Sequence, residues 1–214
     1  MEEEIQVLKE RIEDLFSDYV EMAGGKNYRY HHSIYVSNIA EKLIENLEVN
    51  ADRKCVLAGA LLHDVGRSKD IEDGYLDPIE CNEGHGERGV DLVDELAGDL
   101  FSDEMIDRLE EIVKNHHSSP ETVEGKIVQD ADQLDWYGLF DLWRMFHFAC
   151  QNERSFEESK DYFWEHAVHR FEDQLNEFNF ELTKKWAEFR LQRMKNNFRR
   201  LCDEIEAEDF SKVL

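Results

Sequence analysis

The sequence predicts an all-α protein. Apolar residues recur at three- and four-residue spacing along almost the whole chain, which is the period of an amphipathic helix. Only two prolines and eleven glycines interrupt 214 residues, whereas a β-sandwich or a barrel needs many more turn residues. Hydrophobic residues make up 41% of the chain, which is enough to build a packed core despite the heavy charge. We therefore expect a helical bundle.

Three helices are predicted in the first part of the chain. The first stops at Gly24-Gly25, and its apolar stripe consists of Ile5, Leu8, Ile12, Leu15 and Tyr19. The stripe of the second consists of His32, Val36, Ile39, Leu43 and Leu47. The third begins after Asp52, a suitable N-cap residue, and runs to Gly66. Turn residues then accumulate from Arg67 to Gly86, and a loop of this length is often functional.

The remaining helices follow with short connections. The stripe of the fourth consists of Val90, Val93 and Leu96. The fifth begins after Ser102 and continues to His116-His117. The sixth opens at Ser119-Pro120, and its stripe consists of Val123, Ile127, Asp130 and Leu134. Two longer amphipathic helices complete the chain. We expect a single domain over residues 1–214, with a core of about 28–150 on which C-terminal helices of about 155–207 pack.

The charge balance limits the partners that this protein can have. The 50 acidic side chains outnumber the 25 basic ones, and the net charge of −25 repels nucleic-acid backbones and anionic lipid. We therefore expect neither duplex nucleic acid nor a membrane as a partner. The longest apolar run, residues 55–62, is far too short to span a bilayer.

The cysteines and the start of the chain point to a cytoplasmic location. Cysteines lie at positions 55, 81, 150 and 202 without a CxxC pair, which is typical of reduced thiols. The acidic start of the chain, Met1-Glu2-Glu3-Glu4, is the opposite of a basic signal peptide. We expect a cytoplasmic monomer or homodimer.

Polar residues interrupt the apolar stripes. His32, His63 and one of His116 and His117 fall on the apolar sides of their helices, and Asp130 lies between apolar neighbours. A buried carboxylate is costly unless it is paired or bound to a metal. Each residue alone is more simply explained as a satisfied core residue or a helix cap. Several imidazoles and carboxylates directed into one interior are better explained by a shared cation, and this donor mixture suits Zn, Mn, Fe or Ni.

The order His … His-Asp … Asp in an all-helical chain resembles the HD superfamily of metal-dependent phosphohydrolases. The motif at residues 58–66 reads AGALLHDVG, and residues 124–135 read EGKIVQDADQLD. The second motif resembles a group of short, single-domain microbial HD hydrolases. The resemblance implies one divalent transition metal (Mn, Ni, Co, Zn or Fe), with a second metal left open. The implied ligands are His32, His63, Asp64 and Asp130.

The resemblance also implies where catalysis and substrate binding take place. The implied catalytic residues are Asp64, His85 and His117, and the doubled histidine leaves His116 as an alternative to His117. Arg67, which follows the His63-Asp64 pair, and Lys126, in the motif of residues 124–135, are hypothesised to hold the phosphate of the substrate. Asp132 and Asp135 could orient the ligating histidines.

The expected reaction is attack of metal-activated water on a phosphate ester or nucleotide, with pyrophosphate release from a nucleoside triphosphate as one form of it. His85 and one of His116 and His117 would raise the four implied ligands to six, which is enough for two metals, so a di-iron oxygenase or a two-metal phosphodiesterase of the same family is an alternative. A non-catalytic helical interaction module with a relic metal site is a second alternative. Metal analysis and a visible spectrum separate the hydrolase from the di-iron alternative, and an interaction module should tolerate His63→Ala and Asp64→Ala.

Overall fold

The computed structural model of the protein describes residues 2–17, 19–21, 24–74 and 84–212. The chain forms two compact units, residues 1–135 and 136–214. Two short antiparallel strands, Val20–Glu21 (β1) and Gly25–Lys26 (β2), accompany helices in the first unit. Those helices are Glu2–Leu15 (α1), Tyr28–Asn46 (α2), Arg53–Leu62 (α3), Arg67–Glu72 (α4), His85–Ala97 (α5), Asp103–Asn115 (α6) and Val123–Asp135 (α7). The predicted all-α class is confirmed.

Helix α3 lies at the centre of the first unit, where it contacts α1, α2, α6 and α7. Every residue from Cys55 to Leu62 is buried, because the sequence at this point is almost entirely apolar or small. The Asp52 carboxylate accepts hydrogen bonds from the Lys54 and Cys55 amides, as predicted for an N-cap. The His63-Asp64 pair therefore follows directly after the most deeply buried helix of the unit.

Some predicted boundaries differ from the structure. The predicted loop from Arg67 begins with helix α4, which is held by tertiary contacts because Ile71 is buried and Asp70 pairs with Arg88. The rest of that loop, residues 75–83, lies outside the described residues. Helix α7 begins at Val123 and not at Ser119-Pro120, since the Thr122 hydroxyl accepts a hydrogen bond from the Gly125 amide in its first turn.

The second unit contains Leu139–Gln151 (α8), Phe156–Tyr162 (α9), Val168–Gln174 (α10) and Glu181–Ile205 (α11), with a π-helical turn at Phe163–Ala167 and a 3₁₀ turn at Glu208–Lys212. Ser155 caps α9 in a capping box with Glu158, which explains the boundary predicted there. Helix α8 was not separately predicted. Ile205, the last residue of α11, is 54% exposed.

Cys55 and Cys202 are buried free thiols and Cys150 is an exposed one, while Cys81 lies outside the described residues. None of the helices in the described ranges is both long enough and apolar enough to cross a membrane.

We expect the Asp52→Asn variant to lose more stability at pH 7 than at low pH. Burial alone would raise the pKa of Asp52, but the Cys55 amide, Arg108 and the Lys54 amide outweigh it and lower that pKa. A lowered pKa means that the stabilisation is present above the pKa of the unfolded carboxyl and is lost as the pH falls through the folded value. Asn keeps the cap and loses the half-exposed ion pair, so the loss should be below about 1 kcal/mol.

Urea unfolding of the wild type and of this variant at pH 7 and at pH 3 measures the difference. Asp52→Ala is the control, because it removes the cap as well and should cost about 1 kcal/mol more at pH 7. A difference between wild type and Asp52→Asn that is the same at both pH values would contradict the assignment.

Candidate metal centre

Five segments of the first unit bring histidine and aspartate side chains together. Two groups of potential ligand atoms form there, one of His32, His63 and Asp132, and the other of Asp64, His85, His116 and His117. All of these residues except His117 are buried. His63 and Asp64 lie in the turn after α3, and His85 is the first residue of α5.

In the first group, nitrogen and oxygen atoms approach one another closely. The Nε2 atom of His32 lies 3.2 Å from Nε2 of His63 and 3.1 Å from Oδ1 of Asp132. Nε2 of His63 lies 3.5 Å from the same Asp132 oxygen. Asp64 joins this group through Oδ2, which lies 3.6 Å from Nε2 of His32 and 3.9 Å from Nε2 of His63.

The two histidines of the first group are oriented by their other ring nitrogens. Nδ1 of His63 lies 2.8 Å from the Ala60 carbonyl oxygen, so Nδ1 must carry the hydrogen. Nδ1 of His32 lies 3.1 Å from Oδ2 of Asp135, which leaves its Nε2 directed to the same point. Second contacts of this kind are typical of metal-binding histidines.

The Asp64 carboxylate faces both groups, one oxygen to each. Its Oδ1 lies 3.2 Å from Nε2 of His85 and 3.8 Å from Nε2 of His116. Burial alone would raise the pKa of Asp64, but Arg29 and the neighbouring histidines outweigh burial and hold it well below its usual range. The carboxylate is therefore charged at neutral pH and available to bind a cation with either oxygen.

The second group has the same arrangement as the first. Nε2 of His85 and Nε2 of His116 are 3.0 Å apart, and Nδ1 of His116 lies 2.6 Å from the Val113 carbonyl oxygen. Nδ1 of His116 thus carries the hydrogen and its Nε2 faces the group. His117 lies at the rim, 50% exposed, with Nδ1 3.9 Å from Oδ2 of Asp132.

The doubled histidine was expected to place only one ring in the site. Instead, both rings belong to the second group, with their centroids 4.1 Å apart at the end of α6. Gln129 of α7 holds this turn by donating hydrogen bonds to the carbonyl oxygens of His116 and Ser118. Desolvation of its inner edge and the adjacent His116 lower the pKa of His117.

Gly66, Gly86 and Gly89 allow the segments that carry the second group to approach one another closely. A Cβ atom at Gly66 would lie 2.0 Å from the His85 carbonyl oxygen and 2.7 Å from the Gly89 amide nitrogen. A Cβ atom at Gly86 would lie 2.9 Å from the Val113 carbonyl oxygen. The turn after α3, the start of α5 and the end of α6 therefore touch through their backbones.

The donor set fits divalent cations. Two atoms bonded at about 2.1 Å to one ion lie roughly 3.0–3.4 Å apart at octahedral or tetrahedral angles, and the shorter distances above fall in or near this range. The opposed Nε2 atoms of His32 and His63 both present lone pairs when the rings are neutral. A proton or a cation between them removes this repulsion. Burial by itself lowers the pKa of His32, but Tyr28, Asp132 and Asp135 outweigh it and raise that pKa.

The structure does not bring Asp130 into either group and brings Asp132 there in its place. Two residues along a helix turn the side chain by about 200°, so these carboxylates lie on nearly opposite sides of α7. Because α7 contacts α2, α3 and α6, both sides are buried, and an apolar stripe could not tell them apart. The spacing of Val128, Asp132 and Asp135 marks the second face and could have identified Asp132.

The two cations predicted to hold phosphate differ in position. Arg67 is buried, with Nε 3.8 Å from Oδ1 of Asp64 and Nη1 3.5 Å from Oδ2 of Asp70. Lys126 is half-buried on α7 and lies six residues before Asp132, which places it about 120° from that residue around the helix. The geometry thus associates Arg67 with the centre more closely than Lys126.

The buried Arg29 was not predicted to lie at the centre. Its Nη1 atom lies 2.6 Å from Oδ2 of Asp64. Burial alone would lower the pKa of Arg29, but Glu21, Asp64 and Tyr28 outweigh it and raise that pKa. A lone arginine near the start of a helix carries no sequence signal for such a contact.

The comparisons with known proteins identify a family for the first unit and a fold for nearly the whole chain. A family model described as HD domain matches residues 29–137. No curated protein matches the sequence significantly.

Solved structures of similar fold cover nearly the whole chain. An HD-superfamily hydrolase from Bacillus thuringiensis is 22% identical, with a TM-score of 0.69 over 96% of this chain and 98% of that one. YpgQ from Bacillus subtilis in complex with ADP is 21% identical, with a TM-score of 0.66 over 94% and 95%. A predicted HD superfamily hydrolase from an uncultured Thermotogales bacterium is 20% identical, with a TM-score of 0.65 over 93% and 91%.

Proposed function

Because the chain belongs to the HD domain family, a family of metal-dependent phosphohydrolases, we propose that it hydrolyses a small phosphate ester at the centre described above. The family and the enzyme class agree with the sequence analysis. The substrate, the ligand set and the number of metal ions are our proposals.

The observation that carries the proposal is the sharing of the Asp64 carboxylate. One of its oxygens faces the ring nitrogens of His32 and His63, and the other faces those of His85 and His116. Buried imidazoles with anchored Nδ1 atoms around a charged carboxylate are suited to a cation and unsuited to an apolar core. We propose that the first metal is held by His32, His63, Asp64 and Asp132.

When bound, a divalent cation polarises the phosphoryl group and lowers the pKa of water at the site. The residues of the chain supply the rest. Arg67 lies beside Asp64 and neutralises charge on the phosphate. His117, at the exposed rim, is neutral at pH 7 because its pKa is lowered, so it is suited to accept a proton from water or to hydrogen-bond a phosphate oxygen. His85 retains the alternative roles of catalytic residue and second-metal ligand.

A nucleotide is the substrate class that we favour. The support is the fold shared with YpgQ, which has been solved with ADP bound, and the motif of residues 124–135. A protein of net charge −25 can still bind a small phosphorylated substrate, because such a substrate needs positive charge only at the binding site. We therefore place the protein with small soluble substrates and not with duplex nucleic acid or membranes, and we propose a cytoplasmic monomer or homodimer.

The test is a screen of the metal-loaded protein against nucleoside mono-, di- and triphosphates and non-nucleotide phosphate esters. Phosphate and pyrophosphate are measured separately, and the metal-depleted protein is the control. We expect metal-dependent release from a nucleotide. Two bound irons with a visible absorption band and no hydrolysis of any ester would instead favour an oxygenase, and absence of both would favour a relic site.

A two-metal phosphodiesterase is the second candidate, and the second group favours it. Nε2 of His85 lies within 3.2 Å of both Oδ1 of Asp64 and Nε2 of His116, as two ligands of another cation would. This second candidate predicts two Mn²⁺ ions per chain at saturation in the wild type and one in His116→Ala, by equilibrium dialysis and metal analysis.

His169→Ala is the matched control for this count, since His169 is exposed and lies outside both groups. It should bind as many ions as the wild type. One ion per chain in both the wild type and His116→Ala would exclude the two-metal form and leave the single-metal hydrolase.

A further inference from the structure

A buried chain of charges leads from the β1–β2 hairpin to the metal centre. Glu21 on β1 and Arg29 on α2 are each only 5% exposed. Nε of Arg29 lies 2.9 Å from both carboxylate oxygens of Glu21, and Nη2 lies 2.8 Å from Oε2. Nη1 of Arg29 lies 2.6 Å from Oδ2 of Asp64. One edge of the guanidinium thus binds Glu21, and the remaining nitrogen binds Asp64.

This arrangement restricts how Arg29 can move. A planar guanidinium gripped along one edge by a carboxylate has its third nitrogen pointing in a set direction. That nitrogen contacts Oδ2 of Asp64, the oxygen that also faces His32 and His63. The orientation of Oδ2 in turn sets that of Oδ1, which faces the second group.

We infer that Glu21 is a positioning residue for the metal centre, which acts through Arg29 on the Asp64 carboxylate and so raises the affinity for a divalent cation. The inference rests on the proposed function. Glu21 lies outside residues 29–137, so the part of the chain that matches the family model does not contain it. A contact from the N-terminal hairpin therefore reaches the centre of the domain.

Geometry and charge act in the same direction. Without the grip of Glu21, Arg29 can rotate, and Asp64 loses the contact that orients both of its oxygens. The negative charge of Glu21 also offsets the positive charge of Arg29, which otherwise repels a cation bound at the neighbouring carboxylate. Loss of the Glu21 charge therefore weakens cation binding on both counts.

The test is a titration of metal-depleted Glu21→Gln with Co²⁺, followed by visible absorption. Changes to residues that orient metal ligands typically cost 10–100-fold in affinity, so we expect a rise of roughly that size in the Kd. The Co²⁺ absorption bands should also change, because they report the ligand geometry. A residue with a merely structural role would alter stability and leave these bands unchanged.

Glu41→Gln is the matched control. Glu41 lies on α2, accepts a hydrogen bond from Arg53 and is partly exposed, so the same change is made in an ion pair remote from the centre. Its Kd for Co²⁺ should stay within about twofold of that of the wild type, and its Co²⁺ absorption bands should be unchanged. An unchanged Kd and spectrum in Glu21→Gln would overturn the inference.

Circular dichroism of the metal-depleted variant checks that it folds. If Glu21→Gln does not fold, Arg29→Lys takes its place, because lysine keeps the charge and lacks the planar fork that spans both carboxylates. We expect the same loss of affinity, and wild-type affinity in Arg29→Lys would overturn the inference. A wild-type protein that binds no Co²⁺ would refute the proposed function itself, whereas equal binding by wild type and variant would refute only the role of Glu21.

Discussion

Asp132→Asn should lose almost all divalent-cation binding at the first group, while Asp130→Asn should retain it. Oδ1 of Asp132 lies 3.1 Å from Nε2 of His32 and 3.5 Å from Nε2 of His63, so the carboxylate completes the first group. The amide keeps the shape of the side chain and removes its charge, which is the part that binds a cation. We expect the affinity to fall by more than about 100-fold, the upper end for residues that only orient ligands. Calorimetric titration of the metal-depleted variants with Mn²⁺ measures it.

Asp130→Asn is the control for this experiment, because it makes the same chemical change two residues away on the same buried helix. It should bind Mn²⁺ with an affinity close to that of the wild type. At saturating Mn²⁺, Asp130→Asn should also hydrolyse the substrate at a rate close to that of the wild type, and Asp132→Asn should be much slower. If Asp130→Asn lost Mn²⁺ binding and Asp132→Asn retained it, Asp130 would be the metal ligand, as the resemblance implied.

Gly66→Ala should destabilise the protein and disrupt the second group together. The added Cβ would lie 2.0 Å from the His85 carbonyl oxygen, and that neighbour is backbone and cannot rotate away. Helices α4 and α5 must separate, which moves His85 away from Asp64. We expect the free energy of unfolding to fall by about 3 kcal/mol, at the upper end for overpacking. Urea unfolding of the metal-depleted protein measures this loss.

Gly59→Ala is the matched control. Its Cβ would lie 3.1 Å from side-chain atoms of Ile112, which can adjust, and alanine favours the helix by about 1 kcal/mol. We expect a change smaller than about 1 kcal/mol in either direction. Equal stability of Gly66→Ala and the wild type would mean that the backbone contact between α4 and α5 is not required.

Much of the fold could be predicted because its helices have one apolar side. Asp52 caps α3 and Ser155 caps α9, and both have side chains that compete well for free amides, so both helix starts were predicted correctly. Helix α4 was missed because only six residues form it and tertiary contacts hold it. Helix α8 was missed although Gly138, which lies between α7 and α8, could have marked its start.

The candidate centre was predicted in part. His32 and His63 stand out in the sequence because they are polar residues on otherwise apolar sides, and Asp64 was implied by the resemblance of the His63-Asp64 pair to the HD motif. The choice between Asp130 and Asp132 depends on which side of a doubly buried helix faces the other ligands, and periodicity does not contain that information. The Glu21–Arg29 contact was missed because charged residues eight positions apart are ordinarily exposed to solvent, and the sequence does not indicate that this pair is buried.

The first group also has a mechanical consequence. His32 and Asp132 are about a hundred positions apart in the chain, yet their donor atoms lie 3.1 Å from each other. An ion bound by both would be a removable cross-link between α2 and α7, in addition to any chemistry that it supports. Because such an ion would bind the folded form and not the unfolded chain, it would raise the free energy of unfolding of the domain, and removal of the ion would lower it.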